Sequence, residues 1–131
     1  MRTLIVEDDF VNRLVLQKRL EQYGEVHIAV NGDEAVHAVK SMLDNDDRYD
    51  LICLDIMLPG MDGHEALKQI RAAEYGSGYP VGQGSKIVMT SALKDADNVM
   101  GAFRGEADGY LVKPIESDQL HKQLRTLGLI E

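Results

Sequence analysis

Cysteine, positive charge and long apolar runs are all scarce in this chain, and each scarcity excludes something. One cysteine in 131 residues rules out an internal disulfide. Cys53 lies inside an apolar run, where a small buried thiol is expected and no redox role is assigned. Lys and Arg number 14 against 22 Asp and Glu, a formal net charge of -8; phosphate backbones need patches rich in Lys and Arg, so nucleic acid is not an expected partner. No apolar run approaches the roughly 20 residues of a spanning helix, and no membrane partner is expected. The N-terminus enters a strand pattern within three residues, leaving no room for a charged region, an apolar stretch and a cleavage site, so the expected location is the cytoplasm. His27, His37, His64 and His121 form no i, i+4 pair and have no Cys partner, which argues against zinc.

What remains is a globular composition, 44% hydrophobic and 27% charged, of a size that fits one domain, residues 1–131. Apolar runs at about 2–6, 26–30, 51–55, 86–91 and 109–113 read as strands. Helical spacing fills the intervals. Leu14, Val15 and Leu20 follow an Asp9 N-cap and stop at Gly24. Ala35, Val36, Ala38, Val39, Met42 and Leu43 follow Asn31-Gly32 and end at the polar stretch 44–48. Ala66, Leu67, Ile70 and Ala73 mark a third helix. A fourth is predicted over about 96–104 with Val99, Met100 and Phe103 inward, and a fifth over about 117–127 with Leu120, Leu124 and Leu127.

Strand and helix alternate five times, which demands right-handed crossovers and a parallel sheet covered on both faces: a three-layer α/β domain of (βα)5 form. The alternating second strand is expected at an edge. The connection 74–85, with Gly76, Gly78, Gly82, Gly84 and Pro80, is long and expected to be a mobile surface insertion; its glycines do not open a helix, so it is no phosphate loop. No repeat or linker is evident, and no output domain is expected.

Ligands of such sheets bind beyond the carboxyl ends of the strands, and Asp8, Asp9, Asp55, Ser91 and Lys113 fall there. Alone, Asp8 or Asp9 reads as a helix cap, Asp55 as a solvated strand end and Lys113 as a surface cation. Together they state an electrostatic problem, because two like charges 4 Å apart cost roughly 4 kcal/mol at an effective dielectric of 20. Lys113 can answer it, and so can a hard divalent cation such as Mg2+, which prefers oxygen ligands and retains waters. One or two carboxylates, the Met57 carbonyl and a phosphoryl oxygen would fill its shell. A carboxylate held this way suits phosphoryl transfer, with Asp55 attacking phosphorus to give an aspartyl phosphate.

Glu7-Asp8-Asp9-Phe10, the stretch 55–63 with Pro59 and Met61-Asp62-Gly63, Thr90-Ser91-Ala92, and Gly109-Tyr110 leading to Lys113-Pro114 resemble a response-regulator receiver domain of the single-domain, chemotaxis-regulator-like kind. The resemblance covers nearly the whole chain. It implies a flavodoxin-like doubly wound sheet in the order 2-1-3-4-5. It also implies a phosphorylation-activated switch of a two-component phosphorelay, in which Asp55 accepts a phosphoryl group from a sensor histidine kinase or a histidine phosphotransfer protein. Asp8, Asp9, Asp55 and the Met57 carbonyl would hold Mg2+, and Lys113 and the Ser91 hydroxyl, or failing that Thr90, would contact the phosphoryl group. Ser91 and Tyr110 would rearrange, the bond before Pro114 would be cis, and a downstream protein would read the face of helix four, strand five and helix five. Such a protein catalyses only its own phosphoryl transfer and slow autodephosphorylation, and is otherwise no enzyme.

Two positions depart from the family's pattern. Met57 and Leu93 stand where side chains flank the path of an attacking water, and neither can orient one, so spontaneous phosphoryl loss is expected to be slow. Three rivals stay open at the level of sequence. A flavin-binding protein of the same architecture would purify yellow; a Mg2+-dependent phosphatase would turn over small phosphate esters, although Met57 stands where its second acid is needed; a degenerate receiver would act unphosphorylated.

Overall fold

The computed structural model describes residues 1–80, 82–92 and 106–131. Strands β1 (Arg2–Val6), β2 (Glu25–Ala29), β3 (Leu51–Asp55), β4 (Lys86–Ala92) and β5 (Gly109–Lys113) alternate with helices α1 (Phe10–Glu21), α2 (Gly32–Asp44) and α3 (Gly63–Gly76), and a C-terminal helix follows at Ser117–Thr126. The strands form one parallel sheet in the order β2-β1-β3-β4-β5. This is the expected flavodoxin-like fold, with the second strand at an edge. The helix expected over 96–104 and Leu93 lie outside the described residues.

Period-two alternation divides each strand between two cores. Leu4, Val6, Ile52, Leu54, Ile87 and Met89 face α2 and α3, where Val36, Val39, Leu67 and Ile70 meet them. Ile5, Leu51, Cys53, Val88 and Leu111 face α1 and the C-terminal helix through Leu16, Leu20, Leu120 and Leu124. Central strand β3 is buried along its whole length, as a parallel strand covered on both sides must be.

The helices start where the sequence supplies caps. Asp9, Asn31 and Asp62 accept from the backbone N–H groups of Asn12, Glu34 and Glu65, satisfying donors the helix leaves open. In α1 the residues facing the sheet are Leu16 and Leu20, whereas Phe10, Val11, Leu14 and Val15 are exposed. Leu14 and Val15 share the helical spacing, but apolar residues lie on both sides of this helix and only one stripe can meet the sheet.

The connection after α3 is tied down at both ends. Buried Glu74 receives Arg71 Nη1 at 2.8 Å through Oε1 and the Ser85 N–H at 2.7 Å through Oε2. Arg71 also donates to the Ser85 carbonyl, the Glu106 carbonyl and Asp108 Oδ2. A Cβ on Gly84 would sit 2.3 Å from the Glu74 carboxyl group, so any larger residue there would have to push that carboxylate away from Arg71 and the Ser85 N–H.

Candidate functional site

The face that carries Ile5, Cys53 and Leu111 in the core continues, two residues on, to Glu7, Asp55 and Lys113. Registers Ile5 with Cys53 and Val6 with Leu54 put the carboxyl ends of β1 and β3 side by side, and parity aims Glu7 and Asp55 the same way. The backbone beyond each strand is held: the Glu7 N–H donates to the Ala29 carbonyl at 3.1 Å, and the Ile56 N–H to the Thr90 carbonyl at 3.0 Å. Helix α3 closes the loop from below, with the Gly63 N–H donating to the Ile56 carbonyl at 2.8 Å. A Cβ at Gly63 would lie 2.4 Å from the Asp55 carbonyl oxygen.

Carboxylate oxygens of Glu7, Asp8 and Asp55 all lie within 4.8 Å of one another. Glu7 and Asp55 are buried, while Asp8 is exposed. Lys113 Nζ donates to Glu7 Oε1 at 2.5 Å and to Asp55 Oδ2 at 3.1 Å. The other oxygen of each carboxylate takes a backbone donor: Asp9 N–H to Glu7 Oε2 at 3.2 Å, and Met57 N–H to Asp55 Oδ1 at 3.3 Å. Burial pushes the Glu7 carboxyl above its ordinary range; the Lys113 hydrogen bond opposes this and Asp55 adds to it. Burial pulls the Lys113 ammonium down, but Glu7 and Asp55 outweigh it and hold the group above its usual value, hence charged.

Three carboxylates against one ammonium leave two negative charges unmatched, the valence of a hard divalent ion, and the donors are the oxygens such an ion prefers. The residues therefore fit Mg2+.

Of the residues singled out from sequence, Asp8, Asp55 and Lys113 are brought together. Asp9 is not in the trio, because its carboxylate caps α1 through Asn12; Glu7 takes the place given to it. The signal for Glu7 was the alternation from Ile5. Thr90 pairs with Asp55 across the sheet, and Ser91 pairs with Val112 on the opposite face, which also carries Tyr110. Ser91 is buried, with its hydroxyl donating to the Ala92 carbonyl at 3.0 Å. The Tyr110 hydroxyl is buried with no hydrogen-bond partner among the described residues. The Lys113–Pro114 bond is cis.

Residues 3–125 match the response regulator receiver domain. The chain belongs to this family. It is 38% identical over 128 residues to the regulatory protein VanRB of Enterococcus faecalis, covering 97% of this chain and 52% of that protein. It is 30% identical to the osmosensing histidine protein kinase SLN1 of Saccharomyces cerevisiae, covering 92% of this chain and 9% of the kinase. The receiver thus spans about half the length, or less, of these curated relatives. Among solved structures, the receiver domain of the Pseudomonas aeruginosa sensor histidine kinase PA1611, which has a magnesium ion in its active-site cleft, superimposes with a TM-score of 0.76 at 28% identity over 97% of both chains. The Arabidopsis thaliana CKI1 receiver domain complexed with Mg2+ and BeF3- gives 0.77 at 28% identity, over 97% of this chain and 89% of that one. Receiver domains are modules of two-component signalling. Among the described residues no helix is long and apolar enough to cross a membrane.

Proposed function

We propose that this receiver is a phosphorylation-controlled switch whose phosphoacceptor is Asp55. The observation that carries the reading is the Lys113 ammonium bridging Glu7 and Asp55 inside a carboxylate trio. Asp8, Asp55 and the Met57 carbonyl would hold Mg2+, with Glu7 beside them and Asp9 adding to the negative field. The ion would supply positive charge against the equatorial oxygens of a transferring phosphoryl group. Asp55 attacks phosphorus in line; the P–N bond of a donor phosphohistidine breaks as the P–O bond to the carboxylate forms. Lys113 leaves Glu7 to contact the new phosphoryl oxygens.

The donor is a sensor histidine kinase or histidine phosphotransfer protein of the cytoplasm. Ser91, with Thr90 as the alternative, turns its hydroxyl from Ala92 toward the phosphoryl group. Tyr110, on the same sheet face as Ser91, repacks and changes what the surface of β5 and the C-terminal helix presents to a downstream protein. Acetyl phosphate with magnesium, followed by intact mass, tests the assignment: wild type gains one phosphoryl group and Asp55→Asn gains none. A phosphoryl mass that survives the substitution, or none on wild type, rejects it.

A further inference from the structure

The end of the sheet opposite the carboxylate trio carries two adjoining cavities. The smaller, about 230 Å3, lies where the connection after α3 crosses the amino ends of β4 and β5. Tyr75, Tyr79 and Pro80 give it apolar walls, and Gly82 and Gly84 line it with bare backbone. Glu74, Glu106 and Asp108 border it against the single cation Arg71. Glu74 is spent on Arg71 and the Ser85 N–H, and Asp108 Oδ2 on Arg71 and the Ile87 N–H. Arg71 reaches Glu106 through its main-chain carbonyl, which leaves the Glu106 carboxylate and Asp108 Oδ1 without a hydrogen bond among the described residues. Tyr79 also lines the second cavity, about 540 Å3 and bordered by Glu25, Asp46, Asp47 and Asp50. Its ring already receives a guanidinium, with Arg48 Cζ 6.0 Å from the centroid.

We propose that the smaller cavity docks an arginine side chain on an extended basic segment of a partner protein, seated between Tyr75 and Tyr79 with its guanidinium on Glu106 and Asp108. Three features select this occupant. Aromatic walls beside unspent carboxylates suit a cation, which the ring faces attract as well. A planar guanidinium stacks on tyrosine and offers parallel N–H donors to a carboxylate, which the compact ammonium of lysine cannot match. The volume falls below the roughly 300–1,000 Å3 of small-molecule pockets and fits one side chain, while the larger acidic cavity across Tyr79 gives the flanking chain a course and a second basic residue a place. The formal net charge of -8 draws such a segment in.

Docking here is compatible with an open site at the other end of the sheet. The strands are parallel, and the 7 residues of β4, at about 3.3 Å each, put this surface roughly 20 Å from the carboxyl ends. A partner seated here leaves Glu7, Asp8 and Asp55 uncovered, and a flexible linker from the docked segment would hold its working domain at an effective concentration in the millimolar range.

The test is a titration of the intact, isotope-labelled chain with a capped Gly-Arg-Gly-Arg-Gly peptide, followed through amide chemical shifts. Saturable shifts should centre on Gly82, Gly84 and Asp108 and leave the Met57 amide unmoved. Tyr75→Ala and Glu106→Gln, both at exposed residues, should each weaken binding about threefold, and lysine in place of arginine in the peptide should weaken it by about the same factor. Shifts that do not saturate, shifts centred on the loop after Asp55, unchanged affinity in both variants, or a lysine peptide that binds as well as the arginine one would overturn the proposal. Displacement of the peptide by an equal concentration of putrescine would assign the cavity to a small amine and overturn it too.

Discussion

Glu7→Gln tests the electrostatics of the site most directly, because it removes one charge and keeps the shape. Glu7 is 1% exposed, and burial, with Asp55 beside it, raises its carboxyl above the ordinary range in spite of Lys113. A carboxyl group raised on folding makes a contribution that is fully present below its unfolded value, roughly pH 4.3, and is lost as pH climbs through the folded value. Ionised Glu7 therefore costs the folded state stability at neutral pH. A like-charged neighbour at about 4 Å costs roughly 4 kcal/mol at an effective dielectric of 20, and Lys113 returns a similar amount. The residue is a small net penalty, so the amide should stabilise the magnesium-free protein by about 1 kcal/mol near pH 7, a rise of roughly 3 to 5 °C in Tm.

The gain should shrink to nothing as pH falls below the ordinary carboxylate range, where both side chains are neutral. Magnesium should reverse the order. The amide removes a full charge from the neighbourhood of the ion, which should weaken magnesium affinity at least about tenfold, or about 1.4 kcal/mol. Thermal melts across pH, with and without saturating magnesium, read all three outcomes. A variant less stable than wild type at neutral pH, with unchanged magnesium affinity, would show that the Glu7–Lys113 bond dominates and that the repulsion argued above does not exist.

Lys113→Met should destabilise the magnesium-free protein by about 2 kcal/mol, because it strips the trio of its counter-charge, and magnesium should recover most of that loss; equal destabilisation in both conditions in chemical denaturation would contradict this. Gly63→Ala should cost about 2 kcal/mol or more, since its Cβ would lie 2.4 Å from the Asp55 carbonyl oxygen and 2.7 Å from Ile56 Cα; an unchanged melting midpoint would refute it. Spontaneous loss of the phosphoryl group from the protein should be slow, because Met57 offers an attacking water no strong acceptor; a half-life of seconds by intact mass would refute it.

The strands were legible because five apolar runs are separated by residues that caps and turns require, and β1, β3 and β5 occupy the expected residues 2–6, 51–55 and 109–113. The sheet order was not legible from periodicity, which is silent on which strands adjoin; it came from the resemblance. Within the site, Asp55 and Lys113 announce themselves by ending strands. Glu7 was passed over because an acidic run looks uniform in sequence, and only the alternation set by Ile5 separates the side chain aimed at Asp55 from the one that caps α1. Leu14 and Val15 mark the helix correctly but lie on its exposed side, because helical spacing identifies apolar stripes but not which stripe meets the sheet. The buried Glu74 had no local signal, since its partners Arg71 and the Ser85 N–H meet it only once α3 and β4 are packed.

That last network bears on how a charge on Asp55 can be felt elsewhere. Arg71 uses its guanidinium to join the end of α3 to Ser85, Glu106 and Asp108, and Asp108 Oδ2 also accepts the Ile87 N–H at 2.9 Å. The amino ends of β4 and β5 are therefore fixed to each other and to α3 by charge-assisted bonds. At the carboxyl ends Lys113 ties β5 to Glu7 and Asp55, while two hydroxyls on the other face are free to change partner: that of Ser91 bonds only to its neighbour's carbonyl, and that of Tyr110 lacks a partner among the described residues. If Asp55 is the phosphoacceptor as proposed, new charge there would be met by side-chain rearrangement of Ser91 and Tyr110 rather than by movement of the strands, because packed strands resist graded deformation while a hydroxyl can change partner at little cost.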